Sequence, residues 1–136
     1  MTEDIEHKQL KILMECKQDT SDINKYINEL RELKENLEKN QELNIFLKIN
    51  KALSEMNRFL IFQMLIEKEE MCICEFSIAL NLKQSTISHH LQKLEESDLI
   101  EGIKSGKFIH YRIKKSGIQK YLDLIDKIAN LKTLIK

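Results

Sequence analysis

Apolar side chains recur at steps of three and four along most of the chain, the period of helices buried on one face. From Thr2 to about Lys17, Ile5, Ile12, Leu13 and Cys16 keep that spacing, and "QDTSD" at 18–22 offers caps to end one helix and begin another. Ile23, Tyr26, Leu30, Leu33 and Leu37 then form a heptad seam of two to three repeats before Asn40 and Asn44 weaken it. Helical from Asp22 to Asn44, this segment would be about 34 Å long, either paired in a short coiled coil or packed on its own domain. "LNIFLKINKAL", 43–53, is a further helix, and Ser54 can cap the next, "EMNRFLIFQMLIE". Leu99 to Ile113 differs: short apolar and aromatic runs flank "KSGK", the pattern of a β-hairpin. Ser116 to Lys136 returns to helix, with Ile118, Tyr121, Leu122, Ile125, Ile128 and Leu131 on one stripe. The expected order is helix, helix, turn, helix, hairpin, helix: a mostly α fold with a small β-hairpin wing.

Between these lies "CEFSIALNLKQSTISHHLQKLEESDLI". Phe76, Ile78, Ala79, Leu80 and Leu82 supply the buried face of a short helix, and "NLKQS" a polar turn. Ser85 is placed to cap a second helix that turns Ile87, Leu91 and Leu94 inward. Its other face carries Lys83, Gln84, Ser85, Thr86, Ser88, His89, Gln92 and Lys93. Such side chains suit base edges and phosphates in a major groove, where an idle surface helix more often shows Glu and Lys pairs. With Lys104, Lys107 and Arg112 on the hairpin beside the duplex backbone, the expected fold is a winged helix-turn-helix. His89 and His90 point about 100° apart on a helix and do not converge on a metal; they read as one DNA contact and one inward-packing residue. His110 falls on the wing strand.

Formal charge is zero, yet it is unevenly spread. Residues 1–45 carry seven Lys or Arg against eleven Asp or Glu, a net of −4, and residues 81–120 carry eight against four, a net of +4. The basic charge coincides with the DNA-reading elements. There is no proline, and Gly102, Gly106 and Gly117 cluster in one stretch, marking the one place where turns are wanted. The longest apolar cluster, "FLIFQMLI", is broken by Gln63 and too short to span a bilayer. Three cysteines and a polar N-terminus give neither a disulfide framework nor a leader, so a cytoplasmic setting is expected, with no membrane partner. No phosphate loop or Ser, His and Asp motif suggests an enzyme.

Three segments, "KALSEMNRFLIFQML", "MCICEFSIALNLKQSTISHHLQKLEESDLI" and "GKFIHYRI", together resemble the ArsR/SmtB family of winged-helix repressors, from about Leu43 to Ile113. The resemblance implies a homodimer that binds an operator in double-stranded DNA. It further implies release when a toxic metal, a metalloid or a redox signal reaches a thiol or His/carboxylate site. The terminal helices would form the dimer interface, which fits the stripe from Ile118 to Leu134. The domains are then 1–42, an N-terminal helical extension outside the match; 43–115, the DNA-binding domain; and 116–136, a C-terminal dimerisation helix.

In the arsenite- and cadmium-responsive branches, a pair like Cys72 and Cys74 supplies thiolate ligands at the start of the helix before the recognition helix. Thiolates suit soft inducers such as As(III), Sb(III), Cd(II) or Pb(II), none needed for folding. Residues two apart lie on nearly opposite sides of a regular helix, so both sulfurs reach one ion only if the helix start distorts. A third cysteine three residues on is common in the arsenite branch; here that position is Ser77. Cys16 is the remaining thiol, weighed as a ligand and as an apolar packing residue, and His7 is a weaker fourth candidate. The last helix offers Asp123 and Asp126 but no His, against a zinc site there. Two alternatives stay open: a metal-free thiol redox sensor, and a helical protein-interaction module that recruits a further partner through residues 1–42.

Overall fold

The structure, a computed structural model, describes residues 2–17, 22–130 and 134–135, and the chain divides into two compact units, Met1–Asn40 and Gln41–Lys136. In the first, α1 (Thr2–Cys16) and α2 (Ile23–Lys39) turn Leu10, Leu13, Ile27 and Leu30 toward a shared groove. Arg31 pairs with Glu6 at 3.6 Å, and the Lys17 ammonium sits 4.8 Å from the centre of the Tyr26 ring. The helix expected from Asp22 to Asn44 is instead broken at Asn40, whose backbone is extended (ψ 113°). Asparagine bonds readily to nearby backbone in non-helical conformations, which makes it a natural stop. Of "QDTSD", only Asp22 lies within the described residues, and its side chain makes no cap bond.

The second unit runs α3 (Gln41–Leu53), α4 (Met56–Lys68), β1 (Met71–Cys72), α5 (Ile73–Leu80), α6 (Gln84–Glu96), β2 (Ile100–Ser105), β3 (Phe108–Ile113) and α7 (Lys115–Ala129). This is the mostly helical fold with a hairpin wing that the apolar periods predict. One strand is added: β1 pairs antiparallel with β3, Met71 opposite Tyr111 and Cys72 opposite His110, giving the sheet order β1-β3-β2. Ser105 faces Phe108 across β2 and β3, so Gly106 and Lys107 form a two-residue turn.

The core is built from inward faces of every helix of this unit. Ile61, Phe76, Ile87, Leu91, Leu94 and Leu99 are fully buried, so α6 docks on α4 and α5 through the stripe its sequence shows. On α5, Phe76 is buried as expected, but Ile78 and Ala79 face solvent, Ile78 being 83% exposed. An eight-residue helix presents only about two turns, and the residue two past Phe76 falls on its far side.

Caps also depart from the sequence reading. Glu55, not Ser54, caps α4, its carboxylate accepting the Arg58 N–H at 2.8 Å; the Ser54 hydroxyl donates to the Lys51 carbonyl at 2.7 Å and closes α3. Of the three glycines only Gly106 makes a turn (φ +63°). Gly102 lies within β2 where a Cβ would come 2.9 Å from Ile109, and Gly117 lies in the first turn of α7 against the Asp98 carbonyl. On α7, Tyr121 stacks on Phe46 with 5.8 Å between ring centres and its hydroxyl donates to Asn50, while Leu124 enters the core. Part of the stripe assigned to dimerisation therefore packs within its own unit; Leu122 stays half exposed, and Leu131 lies outside the described residues. Among the described residues no helix is long and apolar enough to cross a membrane.

Candidate functional site

A three-residue turn joins α5 to α6. Asn81 adopts the left-handed conformation (φ 53°, ψ 47°) that asparagine tolerates, and the Ser77 hydroxyl donates to the Leu82 carbonyl across the turn. Ser77, three residues after Cys74, thus braces the helix-turn-helix. Lys83 is the N-cap of α6 and Ser85 lies inside its first turn, so Ser85 is not the cap. That leaves the Ser85 hydroxyl on the outward face.

The outward face is as the sequence places it. Lys83, Gln84, Ser85, Ser88, His89, Gln92 and Lys93 are exposed and Thr86 is half-buried, while Ile87, Leu91 and Leu94 point inward. Gln92 donates to Glu96 at 3.3 Å, and Lys93 lies 3.9 Å from the same carboxylate. On the wing, Lys104 and Lys107 are exposed; Arg112 is exposed but forms an ion pair with Glu101 on the neighbouring strand at 2.8 Å.

His90, predicted only to pack inward, anchors the recognition helix. Its Nδ1 lies 3.3 Å from Arg58 Nη1 and 3.7 Å from a Glu55 carboxylate oxygen, and Arg58 Nε donates to the Ala52 carbonyl at 2.7 Å. Arg58 therefore ties the end of α3, the start of α4 and the middle of α6 together. An Arg N–H needs a lone pair on Nδ1, which only neutral His90 offers. Burial pulls the His90 pKa below its usual 6.5; the Glu55 charge opposes this, and Arg58 and His89 reinforce it. For Glu55, burial raises the pKa but is outweighed by the Arg58 and Asn57 N–H groups and the charges of His90 and Arg58. Stability is full where His90 is neutral in both states, falls as pH drops through about 6.5 and the unfolded chain gains a proton first, and levels off below the lowered native value. Urea titrations from pH 7.5 to 5.5 should show wild type losing stability relative to His90→Gln; parallel profiles would contradict the assignment.

The sequence offered one hint of this cluster, a Glu-x-x-Arg at the start of an apolar helix, but nothing that pointed across 32 residues to His90.

The thiols of the second unit lie at the start of α5. Cys72 is both the last residue of β1 and the N-cap of α5, with an extended backbone, and Cys74 is exposed in the first turn. Cys72 is therefore outside the regular helix, and the distortion foreseen for two sulfurs on opposite helix faces does not apply to it. The Cys72 N–H donates to Glu75 at 3.0 Å. That bond, and then the Cys72 thiol, hold the Glu75 carboxyl below the usual range against a small effect of burial, with His110 and Lys68 adding to it. Gln84, first residue of α6, donates its side-chain amide to Cys74 Sγ at 3.9 Å, so a thiol of α5 touches the start of the recognition helix.

Cys16 is exposed, which removes its reading as a core residue. His7 lines the groove of the first unit. Among the described residues no three His, Cys, Asp or Glu side chains converge on a point where they could hold a metal ion. Cys72 and Cys74 supply two thiols at the start of α5. Asp123 on α7 accepts from Gln119 at 3.0 Å and has no histidine beside it.

Comparison with known proteins fits this arrangement. Residues 56–101, from the start of α4 to β2, match the family described as "Bacterial regulatory protein, arsR family". The chain is 32% identical over 74 residues to the cadmium resistance transcriptional regulatory protein CadC of Listeria innocua, covering 54% of this chain and 62% of that one. It is 41% identical over 63 residues to the arsenical resistance operon repressor of Escherichia coli, covering 46% and 54%. It thus spans less than two thirds of either relative. Among solved structures, the homodimeric winged helix-turn-helix DNA-binding domain of Mb0332 from Mycobacterium bovis superposes with a TM-score of 0.53 at 25% identity, over 65% of this chain and 82% of that one.

Proposed function

Because the chain belongs to the ArsR family of winged helix-turn-helix transcriptional regulators, we propose that it is a homodimeric repressor whose hold on operator DNA is released by a thiophilic ion at Cys72 and Cys74. The observation that carries the proposal is the contact between Gln84 and Cys74. An ion drawing Cys72 and Cys74 together moves the sulfur that Gln84 touches, and Gln84 opens the helix that would lie in the major groove. Thiolates favour As(III), Sb(III), Cd(II) or Pb(II), in keeping with the names of the cadmium and arsenical relatives. Cys16, the one remaining thiol of the sequence, is the candidate third donor. The dimer surface includes half-exposed Leu122 of α7.

DNA recognition divides between two elements. Lys83, Gln84, Ser85, Thr86, Ser88, His89, Gln92 and Lys93 meet the groove, and Lys104, Lys107 and Arg112 of the wing meet phosphates. The test is to select a binding duplex from random sequence and compare it with an unrelated duplex. Ser88→Ala and Gln84→Ala should each weaken the selected site by roughly 5- to 100-fold, the cost of about 1–3 kcal/mol per lost base contact, and barely touch the unrelated one. Equal loss on both duplexes would contradict base reading by α6.

The wing predicts a different signature. Removing both amines, Lys104→Ala with Lys107→Ala, should flatten the slope of log K against log salt by about 1.8 per protomer, since each phosphate contact contributes about 0.9. An unchanged slope would take these lysines out of the interface.

A further inference from the structure

The first unit has no buried side chain among its described residues, although it is two helices rich in leucine and isoleucine. Leu30, Leu33 and Leu37 are 42%, 54% and 48% exposed along one face of α2, whereas Ile23, Tyr26 and Ile27 near its start are half-buried, with Lys17 over the Tyr26 ring. A helical pair of this size with no buried side chain lacks the apolar burial that stabilises a fold. We propose that α2 is covered by the α2 of a second copy of this chain, the two forming a short parallel coiled coil. The proposal rests on the homodimer inferred above.

The heptad pattern and the charges favour this occupant. Ile23, Leu30 and Leu37 take the a positions and Tyr26 and Leu33 the d positions, a continuous seam over the whole of α2. Glu29 then falls at g and Lys34 at the following e, and a parallel pair brings Glu29 of each chain beside Lys34 of the other, twice by symmetry. An antiparallel pair matches g with g and e with e, which sets Lys34 near Ile27 or another Lys34 and gives Glu29 no cation. In the single chain Lys34 lies 3.4 Å from Glu38 on its own helix, an exposed pair that a coiled coil leaves in place or exchanges at little cost.

Length argues the same way. Seventeen residues are about 25 Å of helix, too short to hold a dimer unaided. Only Asn40 separates α2 from α3, so once two DNA-binding units associate, the second α2 is present at an effective concentration on the order of millimolar. The seam then zips without initiating assembly.

The test uses the full chain with Cys16→Ser, Cys72→Ser and Cys74→Ser, and one new thiol: Leu37→Cys on the seam or Glu35→Cys on the opposite face. Each is oxidised with copper phenanthroline, and assembly is followed by sedimentation equilibrium on the unoxidised protein. Leu37 lies about 9 Å from the middle of α2, so in an antiparallel pair the two new thiols would be about 18 Å apart, beyond disulfide reach. Leu37→Cys is expected to form a covalent dimer at least about tenfold faster than Glu35→Cys. Adding Glu29→Lys should slow it about threefold, and adding Lys34→Glu as well should restore the rate. A sedimenting dimer with equal or negligible cross-linking at both positions would overturn the coiled coil and leave the homodimer standing. A monomer would overturn both.

Discussion

Gly117→Ala is expected to lower the melting temperature by more than about 10 °C, a loss of about 3 kcal/mol or more in a unit of this size. An added Cβ would lie 1.5 Å from the Asp98 carbonyl oxygen and 2.7 Å from its carbon, well inside contact distance. Neither side can yield cheaply. Asp98 is held in the left-handed conformation (φ 64°) at the end of α6, where the Leu99 N–H bonds to the Leu94 carbonyl and the Asp98 N–H to that of Glu95. On the other side, the Lys114 N–H bonds to the Leu99 carbonyl at 3.0 Å, and its ammonium pairs with the Asp98 carboxylate. Room for one methyl group therefore requires moving α7 away from the end of the recognition helix. Ser116→Ala, one residue earlier and exposed, should stay within about 0.5 kcal/mol of wild type, which makes it the control in a thermal melt. A wild-type melting temperature for Gly117→Ala would mean that α7 does not dock as described.

The second large effect concerns the inducer. Cys72→Ser with Cys74→Ser should bind the selected duplex within about threefold of wild type, yet need at least about 100-fold more arsenite or cadmium for half release. Serine is close to cysteine in shape, and Cys72 and Cys74 are half-buried and exposed, so the exchange leaves the fold and the outward face of α6 in place. The hydroxyl is a hard donor that stays protonated, and it does not compete for a soft ion. Cys16→Ser alone should shift release less, because two thiolates remain. Wild-type sensitivity in the double variant would move the sensor elsewhere in the chain.

How far the fold was legible depended on whether a residue's partner lies within its own element. Ile87, Leu91 and Leu94 announce the inward face of α6 because burial repeats with the helical period, and the polar residues between them announce the outward face. "KSGK" announces the wing turn because Gly106 needs a positive φ that its own sequence provides for. The strand at Met71 and Cys72 was not legible, since two residues carry no period and its existence depends on an open edge of β3 about 40 residues away. The same holds for Gly102 and Gly117, whose reason is the approach of Tyr111 and Asp98 rather than a turn. Ile78 shows the limit of side-chain type: in an eight-residue helix an apolar residue two past the buried Phe76 faces solvent. In the candidate site, the exposed polar residues could be chosen from α6 alone. The Arg58, Glu55 and His90 anchor and the Gln84 contact to Cys74 join different helices, and only the folded chain brings them together.

We propose that the Gln84 contact to Cys74 carries ion binding at the thiol pair to α6. It is tested most directly by anaerobic fluorescence anisotropy of the selected duplex bound to reduced wild-type protein, titrated with arsenite and with cadmium while thiolate-to-ion absorbance is recorded. The account predicts that one of the two ions lowers anisotropy to the free-DNA value at near-stoichiometric ratio to protein, in step with the absorbance. DNA that stays bound while both ions are in excess, with no thiolate absorbance, would contradict it.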